Sequence, residues 1–160
     1  MPIDAAILTI SDTRTLSTDR SGDIASDLLG EAGHTIADRS LVIDDSADIQ
    51  EGVARVIAID TIQVLITIGG TGVGRRDVTI PAVMGFITQP LTGFGEYFRA
   101  ISREQVGAMA MLSNAAAGIV ARDGGQDLLI AMLPGSPKAV ALGIESALLP
   151  VLSHVLDLRA

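Results

Sequence analysis

Residues 69–79 read GGTGVGRRDVT and follow directly on an apolar run at 63–68. Glycines let the backbone turn with positive φ and aim its N–H groups at an anion, and the neighbouring Arg75 and Arg76 add charge of the right sign. Asp77 interrupts this basic segment. A carboxylate beside a phosphate cradle suits Mg2+, which takes one or two carboxylates together with phosphate oxygens. Asp44, at the end of the preceding apolar run, can supply the second. Both aspartates would equally serve as charges near a helix start, and the glycine loop as a plain strand-to-helix turn.

The loop departs from the two common nucleotide fingerprints. With Gly70 as first glycine of a dinucleotide motif, Arg75 stands where the third is required, and a P-loop would need Lys and then Ser or Thr after Gly74. This weighs against a dinucleotide-dependent oxidoreductase. There is no cysteine, no G-x-S-x-G, and His34 and His154 lack ligand-like spacing. Covalent catalysis is disfavoured, and metal-assisted phosphoryl or nucleotidyl transfer fits better. Lys138, the only lysine, falls in the first turn of the last predicted helix, where a cation is unfavourable unless an anion binds beside it.

The elements that must position these residues follow from periodicity. Apolar runs at 3–11, 34–43 and 63–68 read as strands, the third apolar throughout, as when both faces are covered. A helix is expected over 21–33 with Ser21 as N-cap and Gly33 as its stop. A second carries Ile49, Val53, Val56 and Ile57 on one face. Thr79 is placed as the cap of a third, with Pro81 in its first turn. A fourth covers 93–107, with Phe94, Tyr97, Phe98 and Ile101 on one stripe. Two late strands flank Gly124-Gly125 as a hairpin. The last helix starts at a Ser136 cap with Pro137 in first position, and Pro150 is expected to kink or break it.

The order β-α-β-α-β-α-α-β-β-α predicts a three-layer α/β/α sandwich with a mostly parallel, mixed sheet, in a single domain over 1–160. Ligands of such sheets bind at the carboxyl ends of the strands. Ser11-Asp12, Asp44-Asp45, Gly69 to Asp77 and Pro134-Gly135-Ser136 all fall at those ends, so the unusual residues converge on one rim.

Bulk properties agree. The 160 residues are 48% apolar but 2% aromatic, so Ala, Val, Ile and Leu must build the core. A net charge of −8 argues against nucleic acid as a partner. No apolar run suggests a membrane span, and the lack of cysteine points to the cytoplasm. The acidity lies in residues 1–60, with 12 acids and 4 arginines, whereas residues 61–160 balance 7 acids with 7 bases.

Taken in order, the segments ILTISDTR, SGD, VIDD, ITIGGTGVGRRDVT, GFGEYFR and LPGSPKAV resemble the MoaB/Mog family of molybdenum-cofactor biosynthesis proteins along nearly the whole chain. The resemblance implies a molybdopterin-binding fold, a homotrimer or a homohexamer of two trimers, and molybdopterin as ligand. Adenylylating members join the molybdopterin phosphate to the α-phosphate of ATP with Mg2+ and release pyrophosphate; a molybdenum-insertion protein would act downstream. Carried over, Asp44 and Asp77 would be catalytic and hold the metal. Ser11, Ser21, Gly69, Gly70, Thr71, Gly72, Arg76, Glu96, Ser102, Gly135, Ser136 and Lys138 would bind substrate. Some MoaB-type members lack the RDVT pattern and would bind the pterin without adenylylating it. Arg76-Asp77-Val78-Thr79 is intact here, while the SDTR start is MoaB-like, so a non-catalytic pterin-binding protein stands as the alternative.

Overall fold

The computed structural model describes residues 2–160. Six strands form one sheet: β1 (Asp4–Ile10), β2 (Thr35–Val42), β3 (Val64–Ile68), β4 (Gln89–Pro90), β5 (Ala116–Val120) and β6 (Leu128–Leu133), in the order β2-β1-β3-β6-β5-β4. Strands β2, β1, β3 and β6 run parallel, and β5 is antiparallel to both β6 and β4. The expected late hairpin is thus present, with Gly124 at φ 75° in its turn. All five residues of β3 and all six of β6 are buried, which requires helices on both faces and explains their unbroken apolar sequences.

Against one face pack α1 (Arg20–Glu31), α4 (Thr92–Val106) and the C-terminal helix; against the other pack α2 (Ser46–Ile57) and α3 (Thr79–Met84). The first layer closes over Ile7, Ile66 and Leu133 with Leu29, Phe98 and Ile144; the second closes over Leu8, Leu65 and Ile130 with Ile49, Val53 and Val83. Alternate residues of each strand feed opposite cores, as the two-residue period of a strand dictates.

Several local expectations need correction. Helix α1 starts earlier than Ser21: Asp19 is its N-cap, accepting from the Gly22 N–H, and Ser21 is buried inside the first turn. Thr79 does not cap α3. Val78 occupies the cap position without a side-chain bond, and the Thr79 hydroxyl turns back to the Gly69 carbonyl. Of the expected α4 stripe, Phe98 is buried but Tyr97 is exposed.

Pro150 does not end the last helix. The chain runs through α5 (Pro137–Leu142), a π-helical turn (Gly143–Leu148) and α6 (Leu149–Asp157) as one helix, Pro137–Asp157. Proline lacks the N–H that an α-helix would direct at the residue four before it, and the wider turn just ahead removes the conflict. It also keeps Val140, Ile144, Leu148, Leu152 and Leu156 in phase against the sheet. These spacings of four would drift round an ideal α-helix, and the extra residue per turn offsets the drift. By length and composition the helix could span a membrane, but this stripe is core.

The two-residue β4 and a 3-10 segment, Gly107–Leu112, were absent from the expected order. An edge strand of two residues has too little sequence to show a period.

Candidate functional site

The carboxyl ends of β1, β2, β3 and β6 surround a cleft of about 530 Å3 lined by residues that include Ser11, Arg14, Asp44, Gly69, Gly70, Asp77, Gly135 and Ser136. The four predicted turns therefore meet. The turn after β3 is built for close approach. The Gly69 N–H continues the sheet by donating to the Leu133 carbonyl at 2.9 Å, and φ then turns positive at Gly69 (109°) and Gly70 (68°). A Cβ on Gly69 would lie 2.4 Å from the Ile10 carbonyl oxygen, and one on Gly70 would lie 2.3 Å from Thr79 Oγ1. No side chain fits at either position, so backbone faces the cleft.

The loop beyond is pinned rather than free. Thr71 is buried, its carbonyl accepting from the Asn114 N–H at 2.8 Å, and Asn114 Nδ2 donates to the Gly72 carbonyl at 3.1 Å. Asp77 Oδ2 accepts from the Gly74 N–H at 2.7 Å, which folds the arginine segment back on itself. Arg76 forms an ion pair with Asp12, and Asp12 Oδ1 also accepts from the Asp44 N–H at 3.0 Å. Asp12 thus ties the β3 loop to the end of β2.

Asp44 is held above the ordinary aspartate pKa, first by burial and next by the negative charge of Asp12, with Asp77 adding to it and Arg76 opposing. Crowded carboxylates with strained ionisation are a fitting environment for a divalent cation, whose charge reverses the penalty. Among the described residues no group of three or more His, Cys, Asp or Glu could enclose a metal. Two carboxylates completed by substrate oxygens match the habit of Mg2+. Asp44 and Asp77 fit that role.

The remaining predicted residues are distributed around this cleft. Asp77 also lines a second hollow of about 470 Å3, shared with Gly72, Glu96 and Arg99. Ser136 also borders a larger groove of about 1090 Å3 between α4 and α5, and there Ser102 and Lys138 are found. The Ser102 hydroxyl is engaged by its own helix, donating to the Phe98 carbonyl at 2.7 Å. Ser21 lies behind the cleft wall, donating to the Gly135 carbonyl at 2.7 Å. Arg76 stands at the rim, three-quarters exposed, on Asp12. Sequence reasoning placed Asp12 on the rim without giving it a role, and it passed over Arg14 and Asn114. The first two were visible in the SDTR segment, but nothing local marked Asn114 as a loop anchor.

Comparison with known proteins agrees with this architecture. The profile of the family described as "Probable molybdopterin binding domain" matches residues 6–154. The chain is 43% identical over 150 residues to molybdenum cofactor biosynthesis protein B of Bacillus anthracis, covering 93% of this chain and 86% of that protein. It is 42% identical over 157 residues to the protein of the same name from Staphylococcus carnosus, covering 96% and 89%. A crystal structure of molybdenum cofactor biosynthesis protein B superposes with a TM-score of 0.93 at 40% identity, covering 99% of this chain and 96% of that one. The tungsten cofactor synthesizing protein MoaB from Pyrococcus furiosus superposes at 0.88 with 30% identity, covering 99% and 97%. A mixed six-stranded sheet with glycine and aspartate turns on one rim, matched along nearly its whole length, belongs to the molybdopterin-binding domain family of MoaB-type molybdenum cofactor biosynthesis proteins.

Proposed function

We propose that the chain binds molybdopterin and adenylylates it with Mg-ATP, giving adenylyl-molybdopterin and pyrophosphate. The observation that carries this reading is the placement of Asp44 and Asp77 on one cleft with the backbone of Gly69 and Gly70. In the reaction an oxygen of the molybdopterin phosphate attacks the α-phosphorus of ATP, a P–O–P bond forms, and the bond to pyrophosphate breaks. Two anions must approach, so charge neutralisation and alignment matter more than a protein nucleophile. Mg2+ held by Asp44 and Asp77 would supply that neutralisation. The residues of the chain do the rest: the Gly70 N–H donates to a phosphate oxygen, Ser11 and Ser136 offer hydroxyls at the same wall, and the Asp12 tie fixes the loop carrying Asp77.

A second reading, pterin binding without adenylylation, is favoured by one feature: Asp77 Oδ2 is engaged by its own loop at Gly74. Incubation with molybdopterin, ATP and Mg2+, followed by detection of adenylylated pterin, separates the two. Product supports the transferase; bound pterin without product supports the holding protein.

Self-assembly into a trimer, or a hexamer of two, belongs to the same proposal. Tyr97 and Val151, both exposed, border an apolar hollow of about 400 Å3, and Val106, Met109 and Met111 add exposed apolar surface. Sedimentation equilibrium reads the state directly. A molybdenum-insertion protein would take the product onward.

A further inference from the structure

The charge on the cleft wall is unevenly placed. Asp44 follows β2 and Asp77 precedes α3, on the side covered by α2 and α3. Arg14 is the one cation among the residues lining the cleft. Its Nη1 donates to Ser21 Oγ at 3.3 Å, and Ser21 in turn donates to the Gly135 carbonyl at 2.7 Å. Ser21 belongs to α1, which packs with α5, so this chain of bonds secures Arg14 to the opposite side. The turn that carries Arg14 is fixed as well, since Ser11 Oγ accepts from the N–H groups of Thr13 (3.3 Å) and Arg14 (3.2 Å). Buried Asp19, accepting from Thr9 Oγ1 at 2.6 Å and capping α1, holds the start of that helix against β1.

Arg14 faces the cleft with one guanidinium nitrogen engaged by a neutral hydroxyl and has no carboxylate partner among the described ion pairs, whereas Arg39, Arg55, Arg76 and Arg159 each have one. A guanidinium positioned in this way presents its remaining N–H groups to a planar or tetrahedral oxyanion. From this arrangement we propose that Arg14, oriented by Ser21, is the metal-independent phosphate grip of the cleft. It takes the terminal oxygens of a phosphate monoester, leaving the carboxylate side for the metal-dependent partner. The assignment rests on the cleft being the phosphate-binding site described above.

The test titrates phenyl phosphate into the purified protein in EDTA, and Mg-ATP in a parallel series, both by ligand-observed NMR. Arg14→Gln is expected to weaken phenyl phosphate binding about 10- to 100-fold, the loss of a charge-assisted pair. Arg14→Lys should recover part of it, since charge returns without the fork. Ser21→Ala should give a smaller loss with the melting temperature of the free protein read alongside. Arg14→Met, which keeps the stem and removes the head group, serves where Gln melts early. Phenyl phosphate binding that is unchanged in folded Arg14→Gln or Arg14→Met overturns the assignment, as does wild-type protein that binds Mg-ATP but takes no phenyl phosphate in EDTA. Binding of neither ligand by folded wild type overturns the reading of the cleft itself, and the assignment with it.

Discussion

Thr79 and Gly69 are joined by a buried hydrogen bond, the Thr79 hydroxyl donating to the Gly69 carbonyl at 2.8 Å while the Thr79 N–H donates to the Gly70 carbonyl at 3.1 Å. One threonine thereby clamps both glycines that face the cleft. Thr79→Val keeps the shape and removes the hydroxyl, leaving a buried carbonyl short of a donor. A loss of about 1–2 kcal/mol is expected, with weakened ligand binding, and Thr79→Ser should restore most of it. Urea titration of the three proteins measures this; equal stabilities would show that the clamp contributes nothing.

Gly69→Ala should cost more than its single methyl suggests. Its φ of 109° is unsuited to an L side chain, and the new Cβ would meet the Ile10 carbonyl at 2.4 Å, a backbone atom that cannot swing away. Strain of about 1–3 kcal/mol is expected, with the β1 and β3 ends pushed apart and the cleft widened. A melting temperature within a degree of wild type would contradict this.

Arg122 stitches the opposite edge of the molecule. Its guanidinium donates to the carbonyls of Ile62 (2.6 Å), Gln126 (3.2 Å), Val56 (3.2 Å) and Ile59 (3.2 Å). Removing it strands several part-buried acceptors, so Arg122→Met should destabilise by roughly 2–4 kcal/mol while cleft ligands bind the folded protein as before. A folded variant with lost cleft binding would show that the two ends are coupled.

These contacts mark the limit of what the sequence reveals. Strands β1, β3 and β6 announce themselves because burial on both faces forces long apolar runs, and the rim follows once the strands are known to be parallel. The Ser136 cap with Pro137 was legible for the same local reason, and its side chain does accept from the Ala139 N–H at 3.2 Å. Helix α1 misled because Asp19 and Ser21 are both good caps, and the distant partners Thr9 and Arg39 hold Asp19 in that place. Ser102 was grouped with the phosphate turns by the family resemblance, and Lys138 by its place at a helix start as well, but both line the neighbouring groove. The Asp12–Arg76 pair spans 64 residues, and no local pattern encodes a contact at that separation.

Acid titration should expose Asp44. Its carboxyl ionises less readily when folded than unfolded, because of burial and then of Asp12, so it favours the fold while protonated. That contribution is complete below the unfolded value and is lost as pH rises through the raised folded value. Asp44→Asn should therefore be more stable than wild type at neutral pH without metal, with the gap closing towards acid, and Mg2+ should stabilise wild type alone. Thermal melts from pH 3 to 8, with and without Mg2+, check this. A gap independent of pH would remove the electrostatic explanation.

The most direct measurement incubates folded wild-type and Asp77→Asn proteins with molybdopterin, ATP and Mg2+ and follows adenylyl-molybdopterin and pyrophosphate together. Equal yields of the two products from wild type, with none from Asp77→Asn despite retained pterin binding, are the predicted result. Undiminished product from Asp77→Asn would contradict the role given to that carboxylate, and pterin binding without product in wild type would contradict adenylyl transfer altogether.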